Sequence, residues 1–332
     1  MVVQETEKIL PVNRILAITI PTFNRCHVLK ENLNYLIRLV SNYQIPIYVS
    51  DNNSSDDTVA MVANAIERYP FIFLHKNRTN IGMDANFHVA LSLPNSEYMW
   101  IIGDDDLVSE GQFERIYKIL GTLQYQLVVV NGGAMKSMGG RVTGVKSKVF
   151  NNPGTLMQEI GWHMTWISCL IISRDFHRDL KFEKYIGSYF SHFGAIFEAL
   201  SRNPTVIVYW YDPSSFYPSP NAKFSWSSRV LEIFSEKWTK IVLSLPSTYS
   251  DEIKTKCIVD HGHKSGLLSF SGFLNLRAQG GISFSLIRSF ADSLRRATKV
   301  NLIVVYLIAL LPIYPLRIVR YIYITMRGLS KP

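Results

Sequence analysis

Little in this 332-residue chain points to covalent cross-links or a structural metal. Its three cysteines, Cys26, Cys169 and Cys257, are odd in number, far apart and without metal-ligand spacing. They argue against a disulfide framework and predict ordinary thiols in a reducing compartment, the cytoplasm. No Gly-x-Gly-x-x-Gly follows the first apolar run, which disfavours a dehydrogenase. A nucleotidyltransferase would need a glycine- and lysine-rich triphosphate loop near the N-terminus, and that is missing too. The first residues lack the charged-then-apolar order of a signal peptide. No segment is low in complexity and no internal repeat is visible. The longest apolar stretch, residues 302–316, falls short of the ~20 residues of a spanning helix and contains Pro312 and Pro315. Acid is scarce towards the C-terminus. Residues 277–332 hold nine Lys/Arg and one acid, Asp292, so this segment carries nearly all of the net charge of +9.

What is present suits a sizeable core, with 47% hydrophobic and 18% charged residues. Short apolar, β-branched runs at residues 15–20, 47–50, 71–74, 98–102 and 127–130 predict strands. Between them, residues 26–40 place Leu29, Leu33, Leu36, Ile37 and Val40 at helical spacing. A second helix follows Ser54-Ser-Asp-Asp57, a short one covers residues 86–93, and Ser109-Glu-Gly-Gln112 matches a capping box before another. Strands alternating with helices predict an α/β fold with a doubly wound, mostly parallel sheet. Glycines at residues 132–140 mark a loop, and residues 165–173 read as a further strand. Beyond Lys223 the pattern is helical, with Trp226, Val230, Ile233, Phe234, Trp238, Ile241 and Val242 as one face. The expected organisation is an α/β domain at 1–222, divided into halves at 14–130 and 131–222. A helical region at 223–298 and a basic amphipathic tail at 299–332 follow.

The most telling feature is Asp104-Asp105-Asp106, which follows the apolar run of residues 98–102 across Gly103. Carboxylates crowded at a strand tip repel one another unless a cation sits among them. Mg²⁺ or Mn²⁺, held by a few carboxylates plus substrate phosphates, is such a cation. In open α/β sheets ligands collect at the carboxyl ends of the strands. The plainer alternative is an acidic turn capping the next helix.

Four segments fall at or just after predicted strand ends on one edge of the sheet. They are Pro21-Thr-Phe-Asn-Arg25, Asp51-Asn-Asn-Ser-Ser55, Asn80-Ile-Gly-Met-Asp-Ala-Asn86 and Gly103-Asp-Asp-Asp106. Together they resemble the nucleotide-sugar-binding half of family 2 glycosyltransferases of the GT-A fold, over about residues 14–130. The resemblance implies that Pro21, Thr22 and Asn24 shape the loop under the nucleotide base and ribose. Asp51 would accept a hydrogen bond from the pyrimidine ring. Asn80, Asp84 and Asn86 would approach the nucleotide or donor sugar. Asp104 and Asp106 would form a DxD-type element around Mg²⁺ or Mn²⁺, with Asp105 beside the donor and Asp106 as the direct ligand. For Arg25 the two readings are a phosphate contact and a solvated side chain, of which the solvated one is preferred.

Inverting members of that family use a downstream Asp or Glu as base. Here the matching neighbourhood offers His192, which departs from that pattern. As a base, His192 would work near its ordinary pKa of ~6.5; completing a metal shell or holding an acceptor hydroxyl are the other roles open to it. Asp212 is a second candidate base and His163 a third; Glu198 is less attractive. The motif combination looks most like bacterial O-antigen transferases of the abequosyltransferase type, which attach a dideoxyhexose from a CDP-sugar to a lipid-linked oligosaccharide. That implies a nucleoside-diphosphate sugar donor and a polyprenyl-linked oligosaccharide acceptor.

The tail agrees with such an acceptor. Arg295, Arg296 and Lys299 precede its apolar block, and Arg317, Arg320 and Arg327 follow. Aromatic and apolar residues flanked by cations suit the interface of an anionic bilayer. The expected location is therefore the cytoplasmic face of the inner membrane, peripheral or monotopic. A buried helix or a dimer contact is the plainer reading, and no nucleic acid is expected as partner. A non-catalytic saccharide-binding scaffold and a nucleotidyltransferase remain the alternative functions.

Overall fold

In the computed structural model, residues 13–122, 124–133, 142–203, 205–220 and 227–329 are described. Part of the glycine-marked loop, Trp226 and the side chain of Arg327 lie outside the described residues.

The first half runs β1 (Leu16–Thr22), α1 (Cys26–Val40), β2 (Ile47–Asp51), α2 (Thr58–Arg68), β3 (Ile72–Lys76), α3 (Met83–Ser92) and β4 (Tyr98–Ile101). All seven residues of β1 and all four of β4 are buried, as central strands of a parallel sheet demand. On α1, Leu29, Leu33, Leu36 and Val40 form the buried stripe, as their spacing predicts. β5 (Asp106–Val108), α4 (Glu110–Thr122), β6 (Leu127–Gly132), β7 (Lys148–Phe150) and α5 (Pro153–Ile160) follow. Then come β8 (Leu170–Ser173), α6 (Arg174–Asp179), α7 (Ser191–Arg202) and β9 (Val208–Pro218).

The sheet has the order β3-β2-β1-β4-β8-β6-β9-β5, with β7 on β9. The doubly wound parallel character holds over β3, β2, β1 and β4. Beyond β4 the sheet is mixed. β8 enters antiparallel between β4 and β6, and β5 and β7 pair antiparallel with β9. Two expected elements are adjusted. The helix expected at 86–93 begins at Met83, so Asp84 and Asn86 sit on its first turns. Of residues 165–173 only the last four are strand; 3₁₀ turns Gly161–Thr165 and Ile167–Cys169 precede them.

The C-terminal region is helical, as expected: a π-helical turn at Glu232–Lys237, then α8 (Trp238–Ser244), α9 (Asp251–Lys264), α10 (Phe270–Ala278), α11 (Phe284–Ser289), α12 (Ala291–Ala297), α13 (Leu302–Leu310) and α14 (Ile313–Leu329). Trp238, Ile241, Val242 and Ile233 are buried, joining this region to one continuous core. α13 and α14 meet at 98°, where Leu311 and Pro312 interrupt the helix. Among the described residues no single helix is long and apolar enough to cross a membrane, though this bent pair together has the length and composition. α13 buries Val305, Ile308 and Ala309 but exposes Ile303, Leu307 and Leu310. On α14, Tyr314, Ile318, Val319 and Tyr321 are more than half exposed.

Candidate active site

The carboxyl ends of β1, β2 and β4 open into one cavity. Thr22, the last residue of β1, donates its hydroxyl to Asp104 Oδ2 at 2.8 Å. Arg25 bridges two acids, Nε to Asp104 Oδ1 at 2.9 Å and Nη2 to Asp105 Oδ2 at 2.5 Å. The sequence reading of Arg25 as a solvated side chain is thus corrected, because adjacent carboxylates demand a counter-charge and Arg25 is the nearest. Asp106 Oδ2 accepts from Trp166 Nε1 at 2.8 Å and Ser168 Oγ at 2.5 Å. Gly103 permits this arrangement: a Cβ there would lie 2.8 Å from Asp106 Oδ2.

Burial dominates the titration of these acids. Asp104, raised by desolvation against the opposing pull of Arg25, is pushed up to about 7. Asp106 is raised too, by burial and then by the charge of Asp105. A group of three or more His, Cys, Asp or Glu able to cage a metal is absent among the described residues. The donor set fits a narrower role. Mg²⁺ commonly takes one or two carboxylates and completes its shell with water and substrate phosphate. Asp106, whose hydrogen bonds fall on Oδ2, has Oδ1 to offer, while Asp104 is shared with Arg25.

The loops after β2 and β3 are held by neutral amides. Asn52 Nδ2 donates to Asn80 Oδ1 (2.9 Å), and its Oδ1 accepts from Ile81 N (3.0 Å) and Asn77 Nδ2 (3.1 Å). Asn77 also donates to Asn86 Oδ1, and Asn86 donates to the Ser50 carbonyl. Asn86 is 2% exposed and spends its amide on these braces. Asn24, at φ 52°, receives Ser55 N on Oδ1 and so joins the β1 and β2 loops. Asp51 is fully buried; Oδ2 accepts from Ser54 N, and Oδ1 has no partner. Pro21, Thr22, Asn24, Asn80, Asp84, Asn86, Asp104, Asp105 and Asp106 line the cavity; Asp51 sits directly behind Asn52.

Asp84, expected to approach the donor, lines the cavity and also braces a loop. Its Oδ2 accepts from Gly187 N (2.8 Å) and Tyr189 N (2.9 Å), and Oδ1 from Ser191 N (3.2 Å). It clamps the loop before α7, where Gly187 and Tyr189 take left-handed φ values of 87° and 69°.

That loop delivers His192 to the wall. Its Nε2 lies 3.1 Å from the Met164 carbonyl and must carry the proton there, which leaves Nδ1 as a lone pair with no partner. Burial lowers its pKa, opposed by the charge of Asp84, so the ring is neutral at physiological pH. Gly194 permits the close seating of α7, since a Cβ there would meet the Tyr185 ring at 2.5 Å. His163 also lines the cavity, but Nε2 faces the Val130 carbonyl and Gly132 N, bracing the end of β6. Asp212 is not brought to the site. It sits on β9 at a register shift opposite β6, where Asn131 Nδ2 donates to its carbonyl and Oδ1. Glu198 is tied to Lys184, Arg202 and the Tyr185 hydroxyl. Sequence reasoning missed Asn52, Trp166 and Ser168; an indole and a hydroxyl inside an apolar run were the available signal.

A glycosyl transferase family 2 model matches residues 17–181. Over 98 residues the chain is 38% identical to abequosyltransferase RfbV of Salmonella typhimurium, a match covering 29% of either chain. S. aureus TarS 1-349 in complex with UDP-GlcNAc superposes with a TM-score of 0.54 at 14% identity, over 85% of this chain and 81% of that one. The longer S. aureus TarS structure gives 0.51 at 14% identity, over 89% and 54%. At these identities the structural likeness shows the fold alone.

Proposed function

We propose, on the premise that residues 17–181 form a glycosyl transferase family 2 domain, that the chain moves a sugar from a nucleoside-diphosphate sugar to a saccharide acceptor. The observation that carries this reading is the meeting of Thr22, Arg25, Asp104, Asp105 and Asp106 in one cavity with His192, whose Nδ1 lone pair is unpaired.

The residues have separable tasks. Asp51 Oδ1, a buried acceptor without a donor, is the group for a ring N–H of the base, because leaving it unpaired costs ~1–3 kcal/mol. The loops of Asn24 and Asn80 shape the nucleotide's bed. The acceptor hydroxyl attacks the anomeric carbon, the bond from that carbon to the diphosphate oxygen breaks, and the hydroxyl proton passes to His192 Nδ1. Met164 holds the far side of the ring in the tautomer this needs. Attack opposite the leaving group would invert the anomeric centre. Mg²⁺ or Mn²⁺ on Asp106 and Asp104 would supply charge neutralisation for the leaving diphosphate. Arg25 already bridges Asp104 and its neighbour Asp105, which favours a second version in which the guanidinium answers the diphosphate with no metal.

The name of the Salmonella relative, an abequosyltransferase, supports abequose, a dideoxyhexose, as the sugar moved, and the motif resemblance adds a CDP-linked donor and a place in O-antigen synthesis. The exposed apolar residues of α13 and α14, with Arg317 and Arg320 beside them, support work at a membrane surface on a polyprenyl-linked oligosaccharide. That would put the protein at the cytoplasmic face of the inner membrane.

The test is thermal stability against UDP-, GDP-, CDP- and dTDP-linked sugars, each with Mn²⁺, Mg²⁺ or a chelator. A ligand that binds only the folded state raises Tm. A shift for one nucleotide, lost in Asp106→Asn, is the expected result; a metal requirement separates the two versions. No shift with any nucleotide overturns the reading.

A further inference from the structure

The cavity is larger than its donor end requires. Its volume is about 1310 Å³, against the ~300–1,000 Å³ usual for one small-molecule site. Away from the acidic cluster it continues into an arm walled by Trp162, Phe234, Lys237, His261, Ser265 and Leu267. All but Trp162 fall outside residues 17–181.

Three independent features mark this arm. The first is the π-helical turn Glu232–Lys237, a rare geometry concentrated at functional sites, and Glu232, Ile233, Phe234 and Lys237 of that turn line the cavity. The second is a pair of stranded polar atoms. Trp162 Nε1 and His261 Nδ1 have no hydrogen-bond partner although their residues are 3% and 2% exposed. The third is charge. Glu232 is taken by Arg229 and Glu236 by Lys240, which leaves Lys237 without an ion pair within 4 Å among the described residues.

We propose that this arm is the acceptor subsite and that it takes a saccharide ring, held by Trp162, Lys237 and His261 between the apolar faces of Phe234 and Leu267. The inference rests on the transferase reading above. A sugar hydroxyl both donates and accepts, and a neutral imidazole does the same. Burial holds His261 down at about 3, so it is neutral at any physiological pH. An alkyl chain would leave these groups desolvated and unpaired, which is why the arm suits a sugar and not a prenyl tail. Phe190 meets Phe234 edge-on at 5.7 Å, and both line the same cavity as His192, so the arm and the candidate base open into one space.

Saturation-transfer NMR on the full chain tests this, with methyl glucoside, galactoside and mannoside and with octyl glucoside as probes. Ring protons of at least one methyl hexoside should receive saturation, and saturating UDP or CDP should not displace it. Lys237→Ala should weaken that binding by about tenfold, the worth of one charged hydrogen bond, and Lys237→Arg should restore part of it. Lys237 is half-buried at the wall, so these variants spare the core, and nucleotide-induced Tm shifts should be unchanged in both. Saturation confined to the octyl protons, displacement by nucleotide, indifference to Lys237→Ala, or no saturation with any hexoside would each overturn the proposal. Hexoside binding without any nucleotide-induced shift would leave the arm standing and sink the donor reading instead.

Discussion

At the acidic end of the cavity, Asp104 is held by Thr22 and Arg25 and Asp106 by Trp166 and Ser168. At the far end, Trp162 and His261 each keep a buried polar atom with no partner. The two ends also differ in construction. The acidic end hangs from strand termini, whose positions are dictated by the backbone register of β2, β1 and β4. The arm is assembled from a 3₁₀ turn, a π turn and the end of α9, placed by side-chain packing. Ladder hydrogen bonds tolerate little displacement, whereas packed helices shift and repack. A site whose two ends are made so differently can keep one half fixed and vary the other. The family match, which stops at residue 181, divides the cavity along nearly the same line.

The sharpest break of this comparison is His192→Ala, at the junction of the two ends. Turnover should fall by about 10²–10⁴-fold in a sugar-transfer assay. A loss confined to acceptor KM would make His192 a binding group of the arm instead. Next is Asp106→Asn, which should lower kcat by about 10²–10³-fold while circular dichroism shows an unchanged fold. Near-normal turnover would mean that the acidic end is held by Arg25 for structural reasons alone.

A smaller effect separates the tail from both ends. Deleting it would strip Val305 and Ile308 from the core, so surface changes are cleaner. Leu310→Glu with Ile318→Glu should weaken sedimentation with anionic liposomes by at least about tenfold, at about 1 kcal/mol or more per site. Turnover on a soluble acceptor should not change. If the full-length protein ignores liposomes at low salt, the membrane reading fails.

Smaller still is the pH dependence of metal binding at the donor end. Asp104 titrates near 7 when folded and near ~3.9 when unfolded, so its protonated form stabilises the fold below ~3.9 and that contribution is lost as pH rises through about 7. Above 7 a cation can take the proton's place. The Tm rise given by Mn²⁺ with UDP or CDP should therefore be larger at pH 8 than at pH 6; equal rises would show the acids already ionised at 6. The least effect belongs to Asp212→Asn, within about twofold of wild type in turnover, since its carboxylate lies outside the cavity and hydrogen-bonds Asn131.

The gathering of the acidic end was largely legible in the sequence because strand ends advertise themselves. An apolar run, then Gly103 and three acids, marks a strand end whether the acids hold a cation or cap a turn, and Thr22, Asn80 and Asp104 line one cavity. The parallel half of the sheet was legible for the same reason. The antiparallel insertion of β8 was not, because residues 165–173 look like one strand when half of them are 3₁₀ turns. That misreading hid Trp166 and Ser168 as supports of Asp106. Asp212 misled because a strand followed by an acid imitates the donor-end pattern, while the register shift against β6 turns it aside. The bracing role of Asp84 was not legible, because the loop at residues 187–191 that it holds lies far away in the sequence. The arm left no trace, since helical periodicity tells which residues are buried and not which of them border a hollow.

The asparagine braces of the donor loops carry one further consequence. Asn52, Asn77, Asn80 and Asn86 hold the bed with groups that neither gain nor lose protons, while Asp104 and Asp106 in the same cavity titrate near neutrality. Shape and charge in this site are thereby uncoupled. A fall in pH can discharge the acids without loosening the bed, so inhibition by acid should reverse at once on neutralisation, with no refolding step in between.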